Sequence, residues 1–349
     1  MGEEEGGGGT VDKIYLVPPN HYTSSSSSSS TSFSSFKERD DAQPVVPFNM
    51  KYLETHLPEL YAMFPEEKQA IDRFLYLSNC AMHYVKVMVF ARLLPSWMQS
   101  ILWALTPRDI TFTASLTSKD LLDSLTSNLR LKALLSSMWI DSGARPDQAS
   151  FMMGACVFRG ISMEGGCYPV GGSTAMAKEL VAVIHAYGGK VRIRAAVDSI
   201  VLDETCSKKP KVVGVRMADG SLIRSSRVVA SNSVRTTFGK LLPPSISASH
   251  STVLDFNVPQ SDGFVMCNIG IAASAEEIGA TNTNTWHIPV DERGDAFHPL
   301  ERFFANPLDD HVETPTFITF PSLKVIFVNI CFCCIIVYDV FSGVGSGVD

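Results

Sequence analysis

The sequence predicts a mixed α/β fold, because helical and strand patterns occupy different parts of the chain. Residues 48–137 have helical periodicity, whereas the stretch 254–320 carries short apolar runs broken by proline and glycine, as strands do. Between them, residues 165–232 predict one helix followed by three strands. With 349 residues, of which 45% are hydrophobic and 19% charged, the chain can bury a core.

The central helix has a start signal, an apolar stripe and a stop signal. Gly171 and Gly172 form a turn, and Ser173 is predicted as the N-cap, whose hydroxyl accepts a bond from a free backbone N–H. The glycines Gly188 and Gly189 end the helix, since glycine adopts the left-handed C′ conformation readily. The stripe consists of Met176, Leu180, Val183, Ile184 and Tyr187.

A three-stranded meander is predicted after this helix. Residues Lys190–Ala195 alternate between apolar and basic side chains, which is the period of a half-buried strand. Val212–Met217 forms the second strand, and the Asp219–Gly220 pair is a strong hairpin signal that leads into Ser221–Ala230.

The helical region before the meander contains two clear helix starts and one ambiguous pair of segments. Proline and two acids at 65–67 begin one helix, and Thr117 begins another. The apolar segments Tyr84–Leu94 and Ser96–Leu105 are separated by Pro95. They are interpreted either as core helices of a large domain or as a surface helix pair that dips into a membrane.

Both ends of the chain differ from the middle. Residues 1–46 are rich in glycine and serine, so we expect a disordered tail in which only Val11–Val17 could pair as a short strand. Residues 325–349 are apolar without a polar period, and their apolar core is shorter than a membrane span. We interpret them as an aberrant tail read past an exon boundary, with a membrane anchor as the alternative.

Composition argues against several classes of function. The formal charge of −7 and a pI near 5.6 disfavour a nucleic-acid partner. The eight cysteines are scattered apart from the run Cys331-Phe332-Cys333-Cys334, which holds a single Cys-x-x-Cys spacing, and the histidines show no ligand spacing, so we expect neither a disulfide framework nor a metal site. No G-x-S-x-G motif supports a hydrolase.

The central stretch also carries a resemblance. The runs YPVGGS (168–173), AAVDSIVLD (195–203), VVGVRMADGS (212–221) and VVASN (228–232), with the helix ending in Gly-Gly, resemble the middle of the flavin-dependent phytoene desaturase, carotenoid isomerase and retinol saturase group. The likeness extends more loosely from about Leu53 to Lys324.

This resemblance implies a partial two-domain fold of the FAD-dependent amine-oxidase and phytoene-desaturase type, with an incomplete Rossmann-like FAD domain and an α+β substrate domain. Residues 47–160 would be the helical part of the substrate domain, 161–240 a portion of the FAD domain, and 241–324 the substrate-domain sheet. The implied reaction acts on a C=C bond of a retinoid or carotenoid, with hydride from reduced flavin, FAD as cofactor and NAD(P)H as a candidate reductant.

The resemblance implies two groups of site residues. The main chain of Val197 would contact the cofactor's adenine, and Ser231 and Asn232 would lie close to the cofactor. The turn formed by Tyr168, Gly171, Gly172 and Ser173 would face the flavin or the polyene. Each has a plainer alternative: core packing for Val197, a turn capped by an Asx side chain at Asn232, and a tight backbone turn at Gly171–Gly172.

One expected motif is missing. Proteins of this family hold the FAD pyrophosphate with a strand, the motif G-x-G-x-x-G and a helix, in that order. The given sequence does not contain this combination. Gly343, Gly345 and Gly347 resemble the motif, but the third glycine is at the wrong spacing and no helix pattern follows. We therefore expect this chain alone to retain no FAD and to be inactive. The alternatives are a non-catalytic polyene- or lipid-binding chain, a membrane-peripheral protein, or a carotenoid cis–trans isomerase. The family implies an endoplasmic-reticulum membrane surface or, alternatively, a plastid.

Overall fold

The structure is a computed structural model that describes residues 12–17, 53–164, 169–203, 210–249, 263–280, 284–306, 314–324 and 331–339. Helices and strands are mixed along the chain, which confirms the predicted α/β class. The chain divides into two units. The first unit comprises Met1–Ala175 and Ser261–Asp349, and the second comprises Met176–Gln260.

Most described helices precede the meander. They are α1 (Leu53–Met63), α2 (Lys68–Ala91), α3 (Ser96–Leu105), α4 (Arg108–Ser115), α5 (Ser118–Leu125), α6 (Leu129–Ser136), α7 (Trp139–Ser142), α8 (Phe151–Glu164), α9 (Gly172–Ala186), α10 (Val234–Thr236), α11 (Pro244–Ser249), α12 (Ala275–Ile278) and α13 (Phe297–Ala305).

The described strands form two separate sheets. They are β1 (Asp12–Val17), β2 (Val197–Asp203), β3 (Lys211–Met217), β4 (Leu222–Arg224), β5 (Gly263–Ile271), β6 (Asn284–Pro289), β7 (Thr316–Thr319) and β8 (Cys331–Asp339). The five-stranded sheet has the order β1-β6-β7-β8-β5, and the smaller sheet is β2-β3-β4. Strand β1 pairs parallel with β6, whereas every other pair is antiparallel.

The core of the first unit forms around one side of α2. Ile71, Phe74 and Leu77 are almost completely buried there. The ring of Phe74 meets those of Phe151 and Phe158 edge to face, with centroids 5.7 and 5.1 Å apart. Aromatic pairs favour this geometry, and each large side chain removes much apolar surface from water.

Short-range signals place the neighbouring helices as predicted. A 3₁₀ turn at Pro65–Glu67 leads into α2. The hydroxyl of Thr117 accepts the N–H of Asp120 at 3.1 Å and so caps α5, which confirms the predicted start. Asn128 caps α6 in the same way through the N–H of Leu131.

The two apolar segments Tyr84–Leu94 and Ser96–Leu105 lie mostly at the surface and not in the core. No residue of α3 is buried, and Ala91 is the one buried residue between Tyr84 and Leu94. The interpretation of these segments as core helices is therefore wrong for α3. Within the described residues, one helical stretch, Pro65–Ala91, is long and apolar enough to cross a membrane, but its first half supplies the core, so this is weak support for a span.

Helix α9 forms as predicted, but its apolar stripe is not covered. Met176, Leu180, Val183, Ile184 and Tyr187 are all exposed, Tyr187 to 89%. The helix begins at Gly172, so Ser173 lies in its first turn and is not the N-cap that we predicted.

The meander exists with different strand limits. The strand predicted at Lys190–Ala195 is wrong: β2 begins at Val197, and Arg194 has a positive φ of 52°. Alternation stabilises a strand only when a neighbouring strand accepts its hydrogen bonds, and none is described there. The third strand is shorter than the predicted Ser221–Ala230, because Ser225 turns the chain by bonding the N–H and C=O of Arg227.

Two strands lie in segments that we expected to be irregular. Strand β1 falls within the Gly/Ser-rich stretch, at the place where Val11–Val17 was the one candidate strand. Strand β8 falls within the apolar 325–349 stretch and pairs with both β5 and β7, so the structure uses this stretch inside a sheet.

We predict that Phe74→Ala lowers the free energy of unfolding of the first unit by about 3–5 kcal/mol, because the cavity between α2 and α8 cannot close fully. Phe90→Ala is the matched control on the same helix, since Phe90 is 53% exposed, and should cost far less. Urea unfolding of the two variants tests this, and equal losses would contradict the assignment of the core to Phe74.

We also predict that the free energy of unfolding falls at acid pH because of His287 on β6. Burial lowers the pKa of His287 below its ordinary value, because the protein disfavours the charged ring. The unfolded chain then binds more protons, so stability is complete above about pH 6.5 and falls as the pH drops below it. His287→Gln should flatten this fall between about pH 7 and pH 5.5, whereas the exposed His185→Gln should not. Urea midpoints across this range measure the effect, and an unchanged slope would refute it.

Candidate functional site

The residues predicted to form a site fall into two groups. Gly171, Gly172 and Ser173 belong to the first unit, whereas Val197, Ser231 and Asn232 belong to the second. Tyr168 lies outside the described residues. Each group is therefore described within its own unit.

Backbone geometry defines the turn before α9. Gly171 and Gly172 have φ values of 82° and 74°, the left-handed region that glycine occupies without a Cβ penalty. The N–H of Gly172 donates to the carbonyl of Pro169 at 2.9 Å and closes the turn. A tight turn thus accounts for both glycines. The resemblance implies that these glycines and the exposed Ser173 face a ligand, and this role stays a prediction.

Val197 is the first residue of β2 and lies at the edge of the small sheet. It pairs with Met217, and the N–H of Ala218 donates to the carbonyl of Ala196 at 2.9 Å. On its other side β2 has no strand partner in the described part of the chain. Val197 is 41% exposed, so core packing does not account for it. Unpaired main-chain groups on an edge strand can bond a ligand, which is the type of contact predicted for Val197.

Ser231 and Asn232 precede a short helical turn. Both are exposed. The Asn232 side-chain oxygen accepts a hydrogen bond from the hydroxyl of Thr237 at 2.8 Å, and Ser233 caps α10 by accepting the N–H of Thr236 at 3.0 Å. The cap of this turn is therefore Ser233 and not an Asx side chain, and the cofactor-contacting role that the resemblance implies for Ser231 and Asn232 stays a prediction.

The hairpin that joins β3 and β4 depends on a side-chain hydrogen bond in its turn and on a glycine in β3. The side chain of Asp219 accepts the N–H of Ser221 at 2.9 Å, and hydrogen bonds from Ser221 lower the pKa of Asp219. Gly214 sits between β2 and β4, where a Cβ would lie 2.0 Å from the carbonyl oxygen of Ile223. The three strands can therefore approach only with glycine at this position.

Two clefts in the first unit were not predicted from the sequence. They share Ser136 and Trp139, and no charged residue lines either one. The hydroxyls of Ser136, Ser137 and Ser142 donate to helix carbonyls behind them, so the walls are effectively apolar. No lining residue of these clefts comes from Tyr84–Leu105 or from the strand at Phe264, the segments with the apolar material expected for a channel.

The first cleft lies where α6 and α7 meet β6 and α13, so residues from distant parts of the chain, such as Ser136 and Ile288, line the same space. The second lies among α2, α5, α7 and α8. Contacts between such distant segments leave no local motif, which is why sequence reasoning missed them. The open space in the clefts is only about 10 and 20 Å³, room for one water molecule, so neither cleft as it stands admits a retinoid.

The titratable groups give no sign of acid–base or metal catalysis. Among the described residues no group of three or more His, Cys, Asp and Glu side chains is arranged to hold a metal ion. Burial raises the pKa of the Cys156 thiol, which makes it a poorer nucleophile at neutral pH.

The residues present do not fit a complete flavin dinucleotide. A pyrophosphate site needs several N–H groups in a glycine turn between a strand and a helix. The turn at Gly171–Gly172 opens α9, but no described strand leads directly into it, and the given sequence contains no G-x-G-x-x-G. We therefore derive no chemical step through a flavin from these residues.

Comparison with known proteins confirms the resemblance. No family model matches the chain. The chain is 29% identical over 242 residues to all-trans-retinol 13,14-reductase of Danio rerio, covering 67% of this chain and 39% of that protein. It is 26% identical over 283 residues to the inactive all-trans-retinol 13,14-reductase of the same species, covering 78% and 45%.

A shorter match links the chain to a second set of relatives. Prolycopene isomerase, chloroplastic, of Arabidopsis thaliana is 39% identical over 75 residues, which is 22% of this chain and 12% of that protein. The chain is thus similar over most of its length to the all-trans-retinol 13,14-reductases and, over a shorter stretch, to prolycopene isomerase. It spans less than half the length of the all-trans-retinol 13,14-reductases that it matches.

Among solved structures, Rab GDI of Plasmodium falciparum matches with a TM-score of 0.36 and 12% identity, over 67% of this chain and 47% of that one. A score this low supports no statement about the fold.

We predict that Gly214→Ala opens the meander and destabilises the second unit by about 1–3 kcal/mol, because the added methyl overlaps β4. Gly239→Ala is the matched control, since nothing lies within 4 Å of a Cβ there. Hydrogen exchange of peptides that cover β3 and β4 measures the effect. If both variants exchange at the same rate, the steric argument fails.

Proposed function

We propose that this chain is part of a flavin-dependent oxidoreductase that acts on a C=C bond of a retinoid or carotenoid. The observation that carries the proposal is the long match to the all-trans-retinol 13,14-reductases, over 67–78% of the chain. The prolycopene isomerase match supports cis–trans isomerisation as the related alternative.

A second candidate is binding of a polyene or lipid without catalysis. The absence of G-x-G-x-x-G from the sequence favours it, because the pyrophosphate of FAD has no evident holder. One of the relatives is itself named an inactive all-trans-retinol 13,14-reductase. In this candidate the chain binds an apolar ligand and holds no flavin.

The proposal assigns roles to parts of the chain. Residues 47–160 and 241–324 are the substrate domain, and 161–240 contribute to the cofactor domain through Val197, Ser231 and Asn232. The separation of Met176–Gln260 as its own unit supports a boundary near the start of α9. We place the protein at an endoplasmic-reticulum membrane, with a plastid as the alternative suggested by the chloroplastic relative.

We predict that the purified 349-residue chain binds all-trans-retinol saturably but carries no FAD. Retinol fluorescence on titration measures the first property, and the visible absorbance of the denatured supernatant measures the second.

The outcomes separate the candidates. Loss of saturable binding in the unmodified chain would refute both, and a full complement of FAD would refute the expectation that the chain retains none. Sequencing the transcript beyond both ends then decides between them, since a strand, G-x-G-x-x-G and helix upstream would favour the enzyme.

A further inference from the structure

Helices α2 and α3 form a hairpin at the surface of the first unit. Helix α2 ends at Ala91, and α3 begins at Ser96 directly after Pro95. The rings of Tyr84 and Trp103 lie 5.3 Å apart, so α3 folds back along α2. The side chain of Gln99 donates to the carbonyl of Leu94 at 2.9 Å and ties α3 to the turn. The hairpin is therefore an ordered element.

The hairpin carries a continuous row of exposed apolar side chains. We name this row the apolar edge; it consists of Val89, Phe90, Leu93, Trp97, Ile101 and Leu105. Leu93 is 78% exposed, Trp97 66% and Leu105 77%. The last three members of the row recur every four residues and so share one face of α3. Soluble proteins seldom leave so much contiguous apolar surface in water unless it binds something.

The charged side chains of the hairpin segment itself have one sign. No Asp or Glu occurs between Arg73 and Arg108, although the chain as a whole has a net charge of −7. Arg73 pairs with Asp109 at 3.2 Å. Lys86 and Arg92 are exposed, and within the described residues no ion pair involves either one. The basic side chains beside the apolar edge can therefore meet anionic groups of a partner.

We propose that the apolar edge docks on a bilayer surface that contains anionic phospholipids. Leu93 and Trp97 enter the boundary between headgroups and acyl chains, and Lys86 and Arg92 contact the headgroup phosphates. Tryptophan and basic residues beside an apolar helix face are the composition that binds at this depth.

Docking on the surface fits the geometry better than crossing the membrane or pairing with a second copy. A helix of ten residues such as α3 is about 15 Å long, half of a hydrocarbon core. The first half of α2 is committed to the protein core through Ile71 and Phe74. A second copy would bring Lys86 and Arg92 toward like charges, whereas an anionic membrane neutralises them.

The test is flotation of the full chain, made by cell-free translation in the presence of vesicles. Pure phosphatidylcholine vesicles are compared with vesicles that also contain phosphatidylserine. We expect the chain to float with the anionic vesicles. Leu93→Ser combined with Trp97→Ser should reduce the floating fraction at least about tenfold, because two buried apolar anchors are lost. Lys86→Glu combined with Arg92→Glu should reduce it on anionic vesicles only.

Leu180→Ser combined with Val183→Ser is the matched control, because these residues of α9 are exposed to 64% and 55% but lie outside the acid-free region. The control should float like the unmodified chain. Failure of the unmodified chain to float, or an equal loss in the control, overturns the proposal. So does a dimer in light scattering without vesicles that Leu93→Ser with Trp97→Ser converts to a monomer. The proposal does not depend on the proposed polyene chemistry, and retinol binding is measured separately.

Discussion

The burial of one side of α2 is the constraint on which the first unit depends. Phe74 holds α8 through Phe151 and Phe158, and the hydroxyl of Thr126 donates to Glu67 at 2.7 Å, which ties the end of α5 to the start of α2. Because the first half of this helix is fixed in the core, its last turns and the whole of α3 are left at the surface. The apolar edge follows from this division of one helix into a buried half and an exposed half.

Signals that act over a few residues could be predicted from the sequence. The cap at Thr117, the proline and acids before α2, and the Asp219–Gly220 hairpin each form because neighbouring groups satisfy each other's hydrogen bonds. The helix that ends at Gly188–Gly189 is of the same kind: the N–H of Gly188 donates to the carbonyl of His185, and Gly188 has a φ of 77°.

Features that depend on a distant partner could not be predicted. Alternation at Lys190–Ala195 indicates a strand, but no strand is described beside it. The opposite error occurred at the C-terminal apolar stretch, where β8 pairs with Ile269 and its neighbours in β5 from more than sixty positions away. The site shows the same limit: the turn at Gly171–Gly172 and the cap at Ser233 are local, whereas the cleft between Trp139 and Ile288 needs separate segments of the chain.

Helix α9 has a consequence for the protein in a cell. It leaves Met176, Leu180 and Tyr187 in contact with water in an otherwise stable helix. Any surface that binds this stripe in the folded helix stabilises the folded state by mass action. The resistance of α9 to unfolding is then a property of the helix together with the surface that covers it, and it rises with the concentration of that surface.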